Sequence, residues 1–302
     1  MPDSGVKWVP HEQVMRYEEH LRVLKLCIPR GVEKVRITGG EPLIRGGLTD
    51  FIAAAREIPG LVDLSLTTNG ILLSSMASKL KQSGLQRINV SLDTLNKEKF
   101  AYITRVDAFD KVIEGIVSAL EEGFSPVKVN VVAIRGFNDD EIADFARITL
   151  SLPVEIRFIE LMPLGCVSKY PEQQRITATE IKETIEKKCG HLEKLEGGLG
   201  PALIYRIPGS MGRIGLIGSM SEQGFCSKCN RVRITATGAM RPCLFSEEEI
   251  DILGPMRAGI TDDELQGIIE DGVKQKPPSH GSCRGQQVVL DRMNSLMVNI
   301  GG

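Results

Sequence analysis

Apolar residues recur along the first half of the chain with two alternating periods. Residues 11–31, "HEQVMRYEEHLRVLKLCIPRG", put Val14, Tyr17, Leu21, Leu24 and Ile28 at helical spacing and stop at Pro29-Arg30-Gly31. "VEKVRITGG" then reads as a short buried strand ending in glycines. The unit repeats. "LTDFIAAAREIPG", with Thr49 as the expected N-cap, leads to "LVDLSLTTNG", and "LSSMASKLKQSG" leads to "QRINVSLD". "FDKVIEGIVSALEEG" leads to "VKVNVVAI", and "DDEIADFARITL" to "VEIRFIEL". Strands separated by helices predict parallel pairing through right-handed crossovers. From about Pro163 the rhythm changes to one capped amphipathic helix, "TATEIKETIEKKCG", then glycine-rich short strands to about residue 245. "TDDELQGIIEDGVKQKPPSHG" reads as a last helix. The expected division is 1–165 and 166–302, with the second region across the open mouth of the first.

A parallel α/β sheet or barrel displays its chemistry beyond the C-terminal ends of its strands. Here those ends read "TGGEP", "TTNG", "SLD" and "ELMPLG", whose small residues let backbone N–H groups approach a ligand. Composition is that of a globular protein, 42% apolar and 25% charged, and the net charge of −2 argues against a global field for nucleic acid or a membrane surface. Any anion must be gripped locally. No apolar run reaches the ~18 residues of a membrane span, and "MPDSGVKWVP" has neither an apolar signal core nor transit-peptide character. Seven cysteines do not resemble the paired framework of a small secreted domain, so a reducing compartment, cytoplasm or mitochondrial matrix, is expected.

Cys226, Cys229 and Cys243 form the pattern C-x2-C-x13-C in "FCSKCNRVRITATGAMRPC". The first pair can present two sulfurs to one centre from a single turn, and thiolates suit zinc or an iron–sulfur cluster. His280 and Cys283 are candidates for a fourth ligand that would complete a structural zinc site. Three thiolates on a cubane would leave one iron open. Cys27, Cys166 and Cys189 read as small buried apolar residues. If "NRVRIT" is a strand, Arg231 and Arg233 share one face, and two guanidinium forks there suit a polyphosphate or carboxylate.

"VRITGGEPLIR", "LTTNG", "INVSLDT", "VKVN", "EIRFIELMP", "FCSKCNRVRIT" with "RPCL", and the terminal "IGG" together resemble the molybdenum cofactor biosynthesis protein A family, the radical S-adenosylmethionine GTP 3′,8-cyclases. The resemblance implies an incomplete (β/α) barrel of the triosephosphate isomerase type and a C-terminal cluster-binding region. It implies cleavage of S-adenosylmethionine to a 5′-deoxyadenosyl radical that takes the ribose 3′ hydrogen of GTP, after which that carbon bonds C8 of guanine. By motif position, Gly40, Ser91 and Met162 would contact S-adenosylmethionine. Arg36, Thr67, Lys128, Arg231 and Arg233 would contact GTP. Cys226, Cys229 and Cys243 would hold a [4Fe–4S] cluster facing the guanine, and Arg157, Gly301 and Gly302 would approach the reaction.

The family's S-adenosylmethionine-cleaving cluster is held by C-x3-C-x2-C after the first strand, and these 302 residues do not contain that motif. The expectation is therefore a barrel missing its first strand, with the ligands of its second, N-terminal [4Fe–4S] cluster absent, unable as given to start the radical reaction. A GTP-binding or zinc-binding remnant without activity, or another radical enzyme with an auxiliary cluster, are the alternatives. An electron donor, a downstream pyranopterin synthase and a homodimer are the partners the family implies.

Overall fold

A computed structural model describes residues 9–163, 172–196, 200–222, 225–227, 229–246 and 248–278. The five expected strands all form: β1 (Lys34–Ile37), β2 (Asp63–Thr68), β3 (Arg87–Ser91), β4 (Val127–Ala133) and β5 (Val154–Glu160). Each pairs in parallel with the next. Helices α1 (Tyr17–Cys27), α2 (Leu48–Arg56), α3 (Leu73–Gln82), α4 (Lys97–Thr104), α5 (Phe109–Glu121) and α6 (Ile142–Ser151) alternate with them, and α7 (Ala178–Cys189) follows β5. The sheet then continues through β6 (Glu193–Lys194), β7 (Leu203–Arg206) and β8 (Arg213–Ile217) in the order β1-β2-β3-β4-β5-β8-β7-β6. β8 lies parallel to β5, while β7 and β6 run antiparallel. No ladder joins β1 to β6 among the described residues, which leaves an incomplete α/β barrel.

Alternation along the strands sorts the chemistry. Leu64, Leu66, Ile88, Val90, Val127, Val129, Val131, Val154, Ile156 and Phe158 are all buried in one cluster with helix residues such as Ile52, Leu80, Val112 and Phe145. Their neighbours at every second position face the other way. α5 approaches α3 closely because Gly115 has no side chain: a Cβ there would stand 2.7 Å from the Gly70 carbonyl oxygen and 2.9 Å from Leu73 Cβ. Gly115→Ala is expected to destabilise the protein by roughly 1–3 kcal/mol through overpacking, visible as a lower urea midpoint with an unchanged slope.

Three local expectations are corrected. Thr49 does not cap α2: the N-cap is Gly47, whose φ of 78° only glycine adopts without strain, and Thr49 lies inside the helix. Residues 11–31 form one α-helix only over Tyr17–Cys27, flanked by 3-10 turns, because Glu19 accepts from the Arg16 N–H at 2.6 Å and starts the helix there. α4 was not foreseen; the Asn96 side chain caps it by accepting from the Glu98 and Lys99 N–H groups.

Beyond the sheet, β9 (Arg233–Ile234), β10 (Ala239–Arg241) and β11 (Ile250–Asp251) form a small antiparallel sheet, with α8 (Leu253–Arg257) and α9 (Asp262–Lys274) beside it. A second core joins Met240, Ile252, Leu253, Met256, Leu265 and Ile269 to Met15 and Val23 of the N-terminal region. Gly272 lets α9 sit on β10, since a Cβ there would fall 3.1 Å from Met240 Sδ. Arg257 seals the joint by pairing with Glu19 at 2.9 Å, and that hydrogen bond, against burial, holds the Glu19 carboxyl down to about 2. Among the described residues no helix is long and apolar enough to cross a membrane.

Candidate active site

The sheet face turned away from the apolar core is polar and cationic. In register across it run Arg36, Ser65 and Arg87; then Thr67, Asn89, Lys128 and Glu155; then Asn130, Arg157 and Gly215. Gly215 makes room for its neighbour, because a Cβ there would meet Arg157 Cγ at 3.0 Å. Arg87 donates to Asp63 through Nε at 2.8 Å, and Arg157 donates to Glu155 through Nε at 2.5 Å. Lys128 Nζ lies 3.5 Å from the same Glu155 carboxylate. Burial opposes the charge on Glu155, but Arg157 and Lys128 outweigh it and hold the carboxyl below its ordinary value.

The cations outnumber these partners, and their acidities record it. Crowding by protein and then by Arg157, Arg231, Arg87 and Arg233 brings Arg36 down to about 10. Burial, helped by Arg157 and Arg87 and opposed by Glu155, brings Lys128 down to about 8. Neither shift stabilises the fold. A lysine whose folded value lies below 10.5 costs stability while it is charged, and that cost disappears as pH rises from about 8 towards 10.5. Such a face is arranged for a polyanion rather than for itself.

Arg231 and Arg233 reach this face from the C-terminal region. β9 contains Arg233 but not Arg231, so the expected shared strand face does not form; Arg231 precedes the strand. Both guanidiniums nevertheless lie within electrostatic reach of Arg36. The Cys229 N–H donates to the Cys226 carbonyl at 3.0 Å, closing the turn that carries both. Cys229 and Cys243 both act on Arg233, whose acidity is raised first by burial and then by Arg231. Burial disfavours the Cys229 thiolate, but the Arg231 N–H and the Arg231 and Lys276 charges outweigh it and lower the thiol below its ordinary value. None of Cys226, Cys229 and Cys243 is joined in a disulfide.

The donor set therefore suits a soft metal centre: three thiols, two on one turn, in cationic surroundings. Among the described residues no three histidine, cysteine, aspartate or glutamate side chains are gathered closely enough to hold a metal ion. His280, Cys283, Cys166, Gly301 and Gly302 lie outside the described residues. Cys27 and Cys189 are half-buried beside the apolar cores, and burial raises both thiols.

At the C-terminal rim, Gly40 is exposed after β1, Ser91 is exposed at the end of β3, and Met162 is half-buried just past β5. A Cβ at Gly40 would meet nothing within 4 Å. Two carboxylates not singled out from sequence shape this rim. Glu41 accepts from Leu43 N–H at 3.0 Å, Thr68 Oγ1 at 2.8 Å and Asn69 N–H at 2.7 Å, tying the ends of β1 and β2. Glu160, fully buried, accepts from Ala178 N–H at 2.7 Å, Met220 N–H at 2.8 Å and Ser221 N–H at 3.0 Å, as well as from Ser221 Oγ. Glu155 was missed too, although the alternation in "VEIRFIE" puts it on the face of Arg157. Arg241, in register with Arg233, is buried with Nε and Nη1 lacking hydrogen-bond partners.

The Radical SAM superfamily matches residues 3–148, and Molybdenum Cofactor Synthesis C matches residues 154–282. The GTP 3′,8-cyclase of Pelotomaculum thermopropionicum is 44% identical over 94% of this chain and 88% of its own. That of Desulforamulus reducens is 45% identical over 100% of this chain and 92% of its own. Among solved structures, Streptococcus suis SuiB bound to S-adenosylmethionine shares the fold, with a TM-score of 0.60 at 14% identity over 90% of this chain and 61% of that one. From motif order, architecture and these relatives together, the chain belongs to the GTP 3′,8-cyclase family of the radical S-adenosylmethionine superfamily.

Proposed function

We propose that the inner cationic face binds GTP for a 3′,8-cyclisation in molybdenum cofactor biosynthesis, with Arg36, Lys128, Arg157, Arg231 and Arg233 on its charged groups and Thr67 beside them. The observation that carries this reading is the depression of Arg36 and Lys128, by burial first and then by Arg157 and Arg87, joined at Arg36 by Arg231 and Arg233. A triphosphate would relieve that repulsion, and bidentate arginine–phosphate contacts would fix its orientation. Glu155 would keep Nε of Arg157 occupied and its terminal nitrogens aimed at substrate.

Gly40, Ser91 and Met162 would hold S-adenosylmethionine at the rim, and Cys226, Cys229 and Cys243 would hold a [4Fe–4S] cluster beside the base. Membership of the superfamily implies S-adenosylmethionine and a cluster that reduces it to a carbon radical, whose C-x3-C-x2-C ligands are not in these residues; the cluster on Cys226, Cys229 and Cys243 would instead hold the base. The chain's own contribution is to clamp the nucleotide from both ends and exclude water, a positioning effect that can supply ~7–11 kcal/mol of a barrier.

Anaerobic reconstitution with iron and sulfide tests the reading. The expected product holds about four iron per chain and binds GTP in a calorimetric titration. A protein of residues 1–302 alone is expected to release no 5′-deoxyadenosine from S-adenosylmethionine under dithionite, since the C-x3-C-x2-C motif is not in these residues. Stoichiometric zinc with no iron would favour a structural metal site instead.

A further inference from the structure

Lys276 belongs to none of the motifs above, yet all its donors converge on the thiol region. Its Nζ donates to Cys229 Sγ at 3.4 Å, to the Arg231 carbonyl, and to the Pro242 carbonyl at 3.1 Å. The first belongs to the turn that carries Cys226 and Cys229, the second lies two residues past that turn, and the third immediately precedes Cys243. One ammonium therefore joins the two chain segments that supply the three sulfurs. Its own position is firm: α9 is anchored through Leu265 and Ile269 in the second core, and Lys276 N–H donates to the Val273 carbonyl at 3.1 Å just past the helix end.

We propose that Lys276 is a positioning residue for the inorganic centre, holding the Cys226–Cys229 turn against the Cys243 segment and donating a hydrogen bond to the Cys229 sulfur. This rests on the cluster assignment proposed above. A lysine suits the task because it offers three rotatable donors on a point charge. A charged donor on a ligating sulfur favours the more negative, reduced form of a cluster, and hydrogen bonds to the sulfurs are among the determinants of cluster potential. The side chain thus links the geometry of the thiols to the ease of adding an electron.

The test compares the parent with Lys276→Met and Lys276→Arg. In metal-free protein, hydrogen–deuterium exchange over residues 229–243 is expected to quicken in Lys276→Met and to recover in Lys276→Arg, which keeps charge and donors. After anaerobic reconstitution, Lys276→Met is expected to retain iron roughly ten- to hundredfold more weakly. What it retains should show a lower midpoint potential by EPR-monitored titration. Unchanged exchange overturns the clamp. Equal iron retention with an unchanged potential overturns the role at the centre, even if the melting temperature falls, because lost stability alone is a structural effect. Failure of the cluster assignment is separately visible as a parent protein that takes up no iron; the exchange comparison then still decides the clamp.

Discussion

Replacing Arg233 by glutamine is expected to weaken GTP binding roughly ten- to hundredfold, the range of one charged hydrogen-bonding group, without lowering the melting temperature. Arg233 sits among like charges, and removing it relieves Arg36 while costing the ligand a fork. A destabilised variant with unchanged affinity would contradict the assignment. The same cluster sets a pH dependence. Lys128 is charged below about 8 and neutral above it, so the affinity for a polyanion should fall between pH 7 and 9. Lys128→Arg should flatten that fall, because guanidinium does not titrate in this window. Calorimetric titrations at low salt across that range read both effects, and a decline that persists in Lys128→Arg would move its origin away from this residue.

Glu160→Ala is expected to cost roughly 3–5 kcal/mol, measured by chemical denaturation. The Glu160 carboxylate is fully buried and receives the N–H groups of Ala178, Met220 and Ser221. Deleting it strands three donors at once and frees the start of α7 and the 219–221 turn from the end of β5. Glu160→Gln keeps the shape but replaces one acceptor oxygen by a donor group, so it should recover only part of the loss. Full stability in both variants would mean that water replaces the carboxylate.

The five parallel strands were legible because each is a short apolar run bounded by glycine or turn residues, with a helical period between. The turn that carries Cys226 and Cys229 was legible as spacing, and the rim glycines as strand ends. What escaped has a common cause: it depends on which strand lies beside which. β8 adds in parallel to β5 after a connection that includes α7, β6 and β7, and nothing local specifies that neighbour. Lys276 meets Cys229 across 47 residues of chain. Glu155 was within reach, since period-2 alternation sets it beside Arg157, but a single acidic residue in a strand carries no signal until the cations around it are known. Thr49 failed as a cap because the chain already had Gly47, whose backbone turns into α2 without help from a hydroxyl.

The second core has a consequence for recombining this protein with its relatives. Met15 and Val23 come from the start of the chain, while the rest of that cluster comes from residues beyond 239. A chimera cut in the linker after α6 would hand each half a surface evolved against a different partner. Crossovers that move α1 together with the C-terminal third should yield soluble hybrids where simple half-for-half swaps precipitate.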